Sequence, residues 1–155
     1  MHLVDSPGFL IGLQSEQEAT IRHGSRALAA LGECTSPYCA VVIRKAFGVA
    51  GAANNKAGSF HYRYAWPSGD WGSLPIEGGI EVAYKAELNE APDRDAHFAG
   101  IKERLNKVRS PFRSAEAFDI EEIIDPRQTR PLLCRWAGLA ARVRRGDKRA
   151  APYRP

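Results

Sequence analysis

The chain has 155 residues, 44% of them apolar and 26% charged, with a formal net charge of +4, which is the composition of one soluble globular domain. A domain of about 150 residues buries roughly 70% of the surface its unfolded chain exposes, so neither disulfides nor a metal is needed for stability. The three cysteines, Cys34, Cys39 and Cys134, make neither a secreted disulfide framework nor a zinc spacing, no apolar run approaches a membrane span, and Met1-His2-Leu3-Val4-Asp5 is unlike a signal peptide, so a cytoplasmic protein is expected.

In chain order, His2 to Asp5 reads as a short strand that runs into a turn forced by Pro7 and Gly8. Ser15 and Glu18 have capping-box spacing, and Ile21, Leu28 and Leu31 recur at near-helical intervals, which predicts a helix over about 16–34. Ser36-Pro37 ends it. Cys39 to Ile43 is a continuous apolar run bounded by turn signals, the pattern of a strand buried on both faces and hence of a layered α/β fold. The run Gly48-Val49-Ala50-Gly51-Ala52-Ala53-Asn54-Asn55 then enters a candidate helix. Tyr62 to Trp66 alternates as a strand and stops at Pro67, and Trp71 to Leu74 reads as a second short one. Glu77 opens a helical stretch through Tyr84, and 93–109 reads as a charged helix with apolar points at Phe98, Ile101, Leu105 and Val108. Ile120 to Ile124 is a last strand, Asp125-Pro126 a turn, and Thr129 to Val143 a closing helix.

The positive charge lies almost wholly in the tail, where Arg142, Arg144, Arg145, Lys148, Arg149 and Arg154 stand against Asp147 and give +5, leaving −1 for residues 1–140. A solvated, flexible tail over 141–155 is expected. No zinc-finger, RNP or recognition-helix pattern accompanies it, so no nucleic-acid partner and no membrane is predicted.

His2, His23, His61 and His97 are scattered, so no metal site is predicted. His23 beside Arg22 is either a substrate-polarising group or a hydrogen-bonded structural residue. No serine or cysteine carries a nucleophile signature, and the adjacent Glu121 and Glu122 read as surface charges. The small-residue run is the remaining feature. A helix starting there presents unpaired backbone N–H groups and lets a substrate oxygen come close, as in an oxyanion hole. Close packing of helix on strand would use the same residues.

Five segments in order, Val4-Asp5-Ser6-Pro7-Gly8-Phe9, Ile21-Arg22-His23-Gly24-Ser25, Ile43-Arg44-Lys45-Ala46-Phe47-Gly48, Tyr64-Ala65-Trp66-Pro67 and Ile123-Ile124-Asp125-Pro126-Arg127-Gln128-Thr129-Arg130, resemble the carboxyltransferase β subunits of biotin-dependent acyl-CoA carboxylases (propionyl-, acetyl- and methylcrotonyl-CoA carboxylases), over roughly residues 3 to 135. The match is to the C-terminal of the family's two domains. It implies an α/β crotonase/ClpP-like fold of repeated ββα units, truncated at its N-terminus, with residues 1–140 as the C-terminal carboxyltransferase domain. It also implies carboxyl transfer from carboxybiotin to an acyl-CoA, with biotin carried on a separate protein or domain and a backbone turn as the oxyanion hole. By position that turn is Gly48, Val49, Ala50 and Gly51, with the N–H groups of Val49 and Ala50 as donors. Substrate-facing residues implied are Pro7, Gly8, Phe9, Arg22, His23 and Ala52. The family's turn reads Gly-Gly-Ala-aromatic, from which Val49 and Gly51 depart, with one residue deleted. Expected partners are a biotin carboxyl carrier or biotin carboxylase subunit, an N-terminal carboxyltransferase domain that holds the acyl-CoA, and further copies in a homo-oligomer. Without that N-terminal domain the chain is expected to be inactive. The rival expectations are a non-catalytic remnant or assembly piece of the same fold, and a stand-alone crotonase-like CoA-ester hydrolase or decarboxylase.

Overall fold

The computed structural model describes residues 1–54, 59–76 and 78–146. Five strands, all parallel where they pair, are β1 (His2–Ser6), β2 (Tyr38–Phe47), β3 (His61–Ala65), β4 (Asp70–Gly72) and β5 (Glu122–Ile123). They run β1-β2-β3-β5, with β4 paired to β2. The helices are α1 (Leu13–Gln17), α2 (Thr20–Glu33), α3 (Gly48–Ala52), α4 (Gly79–Ala83), α5 (Lys85–Glu90), α6 (Arg94–Asn106), α7 (Pro111–Glu116) and α8 (Thr129–Gly146), with a single 3-10 turn at Pro126–Gln128 before the last.

β2 organises the sheet. Its residues 38–42 pair with β3, and its residues 45–47 pair with β4, so one strand serves two neighbours on the same side. The expectation of burial on both faces holds. Tyr38, Ala40 and Val42 pack with Val4, Ala65 and Ile120 on one face, and Cys39 and Val41 pack with Tyr64 and Ile124 on the other. Leu132, Leu133 and Trp136 of α8 cover that second face. Ile80, Leu88 and Ile101 form a separate helical cluster through α4, α5 and α6.

Between its two halves β2 breaks register. Val4 pairs with Val42 but Ser6 pairs with Ala46, so β2 carries extra residues opposite Asp5. Asp5 fills the gap: its carboxylate accepts from Arg44 Nε and Nη2 (3.1 and 2.8 Å) and from the Lys45 amide (3.1 Å). This irregularity redirects β2 toward β4 and aims Gly48 at the end of β1.

Several sequence expectations need correction. Ser15 and Glu18 form no capping box; Ser15 lies inside α1, and Ala19 takes a left-handed conformation (φ 57°) that separates α1 from α2. β2 extends four residues past Ile43, because Lys45, Ala46 and Phe47 pair with β4. Ile120 to Ile124 contributes only the two-residue β5. A helix absent from the sequence reading, α7, opens at Pro111 behind the Ser110 hydroxyl, which accepts from the Phe112 amide. α8 reaches Gly146, so residues 141–146 are helical; the rest of the expected tail, Asn55 of the small-residue run and Glu77 lie outside the described residues. No helix among the described residues is long and apolar enough to cross a membrane.

Candidate active site

β1 and β2 are parallel neighbours, so the turns that leave them lie at the same edge of the sheet. β1 exits into Pro7-Gly8-Phe9, and β2 exits at Phe47 into Gly48. An apolar cleft of about 570 Å³ lies between them, lined by Pro7, Gly8, Phe9, Phe47, Gly48 and Leu74 among others. Gly8 (φ 116°) and Gly48 (φ 60°) both occupy backbone conformations that L side chains rarely adopt. Behind Phe9, α2 is close enough that a Cβ at Gly24 would stand 2.5 Å from Phe9 Cζ. Glycine at position 24 therefore sets the wall.

α3 begins at Gly48, and the first turn of a helix leaves its N–H groups without a carbonyl partner inside the helix. Val49 is 56% exposed and Ala50 half-buried. Gly51 is buried, and a Cβ there would stand 2.3 Å from the carbonyl carbon of Ala46, so only glycine fits against the end of β2. The far end of α3 is held by Asn54, whose amide donates to the Ala50 carbonyl (3.3 Å) and whose Oδ1 accepts from the Tyr38 hydroxyl (3.0 Å). That hydroxyl also lies 2.8 Å from His2 Nδ1. Burial pushes the Tyr38 phenol up to about 12, so it remains a donor throughout the neutral range.

Arg22 and His23 sit on exposed turns of α2 and do not line this cleft; the glycine that follows them makes the contact instead. Ala52 lines a second cleft, on the other side of the Gly48 turn.

That second cleft, about 360 Å³, is lined by Ala46, Gly48, Gly51, Arg63, Trp71, Ser114 and Asp119. Arg63 was not singled out from the sequence. It projects from β3 opposite in sense to Tyr62 and Tyr64, is only 9% exposed, and places its guanidinium 5.8 Å from the Trp71 ring centroid. Burial lowers its pKa, opposed by the carboxylates of Asp119 and Glu121. Glu121 is more than the surface charge expected: although exposed, its carboxylate accepts from the Arg63 amide, and its own amide donates to the Arg63 carbonyl (2.9 Å). Asp5 was likewise not predicted to act on the site, and its place ahead of a Ser-Pro-Gly turn was the available signal.

A family model described as "Carboxyl transferase domain" matches residues 1–151. The 12S subunit of methylmalonyl-CoA carboxyltransferase from Propionibacterium freudenreichii is 39% identical over 133 residues, 84% of this chain and 25% of that subunit. The human mitochondrial propionyl-CoA carboxylase beta chain is 33% identical over 135 residues, 84% of this chain and 23% of that one. Among solved structures, the transcarboxylase 12S hexamer with methylmalonyl-coenzyme A and methylmalonic acid bound superposes with a TM-score of 0.72 at 33% identity, over 99% of this chain and 28% of that one. The geranyl-CoA carboxylase beta subunit of P. aeruginosa gives a TM-score of 0.81 at 19% identity, over 97% of this chain and 28% of that one, a likeness of fold. The chain thus spans about a quarter of the length of the relatives it matches. The crotonase-like α/β architecture is borne out by these neighbours, and with the family model covering nearly every residue from the Pro7 turn through α8, the chain belongs to the carboxyl transferase domain family.

Proposed function

We propose that this chain forms the biotin-facing half of an acyl-CoA carboxyltransferase, receiving carboxybiotin from a separate carrier and working with an N-terminal carboxyltransferase domain that holds the acyl-CoA. The observation that carries the reading is the meeting of the Pro7-Gly8-Phe9 wall with Phe47 and the Gly48 turn in one apolar cleft. The cleft fits a fused-ring ureide. Its apolar walls suit the ring flanks, and the absence of side chains at Gly8 and Gly48 leaves main-chain atoms open to a ligand; a Cβ at either would stand within 4 Å of a carbonyl oxygen across the cleft.

When bound, carboxybiotin supplies the carboxyl group and a ureido nitrogen able to take a proton. With that group bound, the amides of Val49 and Ala50 would hold the ureido oxygen and favour negative charge there. Preorganised donors of this kind are worth about 3 kcal/mol each. Phe9 and Phe47 keep water from the ring. Asn54 and Tyr38 fix the far end of α3, and Asp5 fixes the approach of β2 to the turn. Family membership and the hexamer assembly of the 12S relative support homo-oligomeric carboxyl transfer on an acyl-CoA.

The test is an amide-shift titration of the isotopically labelled chain with biotin methyl ester. Saturable shifts centred on Gly48, Val49 and Ala50 are expected. Ala50→Pro, which removes one donor, should weaken binding about tenfold or more. Shifts centred elsewhere, or unchanged affinity in that variant, overturn the assignment.

A further inference from the structure

We infer that the cleft behind the Gly48 turn is a binding site for a small planar monoanion of the carboxylate type, hydrogencarbonate or a short carboxylate group, with Arg63 as its cationic ligand. The side chain is only 9% exposed and faces this cleft. Its Nε is fully buried and has no hydrogen-bond partner, and no carboxylate among the described residues stands within 4.0 Å of the guanidinium. A buried guanidinium N–H left without an acceptor is among the costliest arrangements in a protein interior. Asp119 and Glu121 act on its charge without pairing with it, and Glu121 turns its carboxylate to the Arg63 backbone amide.

The other walls define the ligand. Ser114 accepts the Trp71 indole N–H through its Oγ, which leaves the hydroxyl proton free to be donated. Gly48 and Gly51 carry no side chains into the space, and about 360 Å³ admits a group of a few heavy atoms. A guanidinium fork matches the two oxygens of a planar carboxylate. Asp119 lines the same cleft, and its negative charge opposes a second charge on the ligand, which favours a monoanion over a phosphate dianion. The site rests on these groups and not on the carboxyl-transfer reading.

Trp71 supplies the probe, because an anion seated on Arg63 changes the cation beside its ring. The full chain is titrated with sodium hydrogencarbonate, acetate or phosphate at constant ionic strength, following tryptophan fluorescence. A saturable change with hydrogencarbonate or acetate, at least tenfold weaker with phosphate and absent in Trp71→Phe, is expected. Hydrogencarbonate alone would identify the inorganic ion, and acetate alone a carboxylate carried on an organic molecule. Arg63→Gln should weaken binding about tenfold or more. No saturable response, equal response to phosphate, or unchanged affinity in Arg63→Gln overturns the proposal. Should Arg63→Gln fail to fold, Ser114→Ala keeps the charge and should weaken binding about threefold; unchanged affinity there overturns it equally.

Discussion

On one side of Gly48, the cleft toward Pro7-Gly8-Phe9 is walled by apolar side chains and main-chain atoms; on the other, Arg63 and Asp119 line a polar space with Trp71 and Ser114. Both are opened by the same short turn, yet they depend on different properties of it. The apolar side depends on the freedom of two glycines to adopt positive φ, and on the proposed reading it also uses the turn's amide groups. The polar side needs only that the turn carry no bulk, since its charge comes from β3. If both proposals hold, a polypeptide segment of five residues serves two chemistries through its two faces, one by what its backbone presents and one by what its side chains omit.

The largest effect should come from disturbing the packing of the Gly48–Ala52 segment on the end of β2. Gly51→Ala places a methyl group 2.3 Å from backbone that cannot move aside, and should cost about 3 kcal/mol or more in stability, read as a lower urea midpoint. The same substitution at Gly24 meets the end of the Phe9 ring, which can rotate away, so its cost should be clearly smaller. Ala50→Pro should lower ureide affinity about tenfold while leaving the fluorescence response to hydrogencarbonate intact, because the proposed anion site uses Arg63 and Ser114 and not the Ala50 amide.

A weaker effect is expected beneath the apolar cleft. Phe47 lies under the Arg109 guanidinium at 5.3 Å, and Arg109 Nε donates to Asp70 Oδ1 (2.6 Å) at the start of β4. The pair is about three-quarters buried, so Asp70→Asn should cost about 1 kcal/mol and loosen the apolar cleft. The smallest effect belongs to Asp5. Arg44 and the Lys45 amide hold its carboxyl below the usual carboxylate range, so its contribution is present at neutral pH and is lost as pH falls through that lowered value. Comparing the acid limb of unfolding for the chain and Arg44→Ala measures it; the variant should show a shallower loss.

The sheet was largely legible because β2 is apolar where both its faces are covered, and Cys39 to Ile43 could be read on composition alone. Its last residues could not, since Arg44 and Lys45 occupy the register break, where side chains point to solvent and to Asp5. α7 is short and follows directly on α6, so its signal, a Ser110 cap and a helix-starting Pro111, equally reads as the end of the helix before it. At the site, Pro7-Gly8-Phe9 and the Gly48 run were each visible as chain leaving a strand. Their adjacency follows only once β1 and β2 are known to be parallel neighbours. Arg63 was hidden for a deeper reason: an alternating Tyr-Arg-Tyr strand assigns arginine to one face, and only the later arrival of α7 and Ile120 buries that face.

The pairing of β2 with three of the four other strands bears on how the molecule assembles. Each ladder joins segments that are distant along the chain, Tyr38 with His61 and His2 with Ala40, and parallel strands cannot be closed by tight hairpins. Every such contact requires a loop to be ordered first, so folding should be slow for a domain of this size, on the order of milliseconds to seconds. β2 is then the natural nucleus. During synthesis, β1 can only wait until residues 38–47 have left the ribosome, and the polar cleft is closed only once Ser114 and Asp119 have followed.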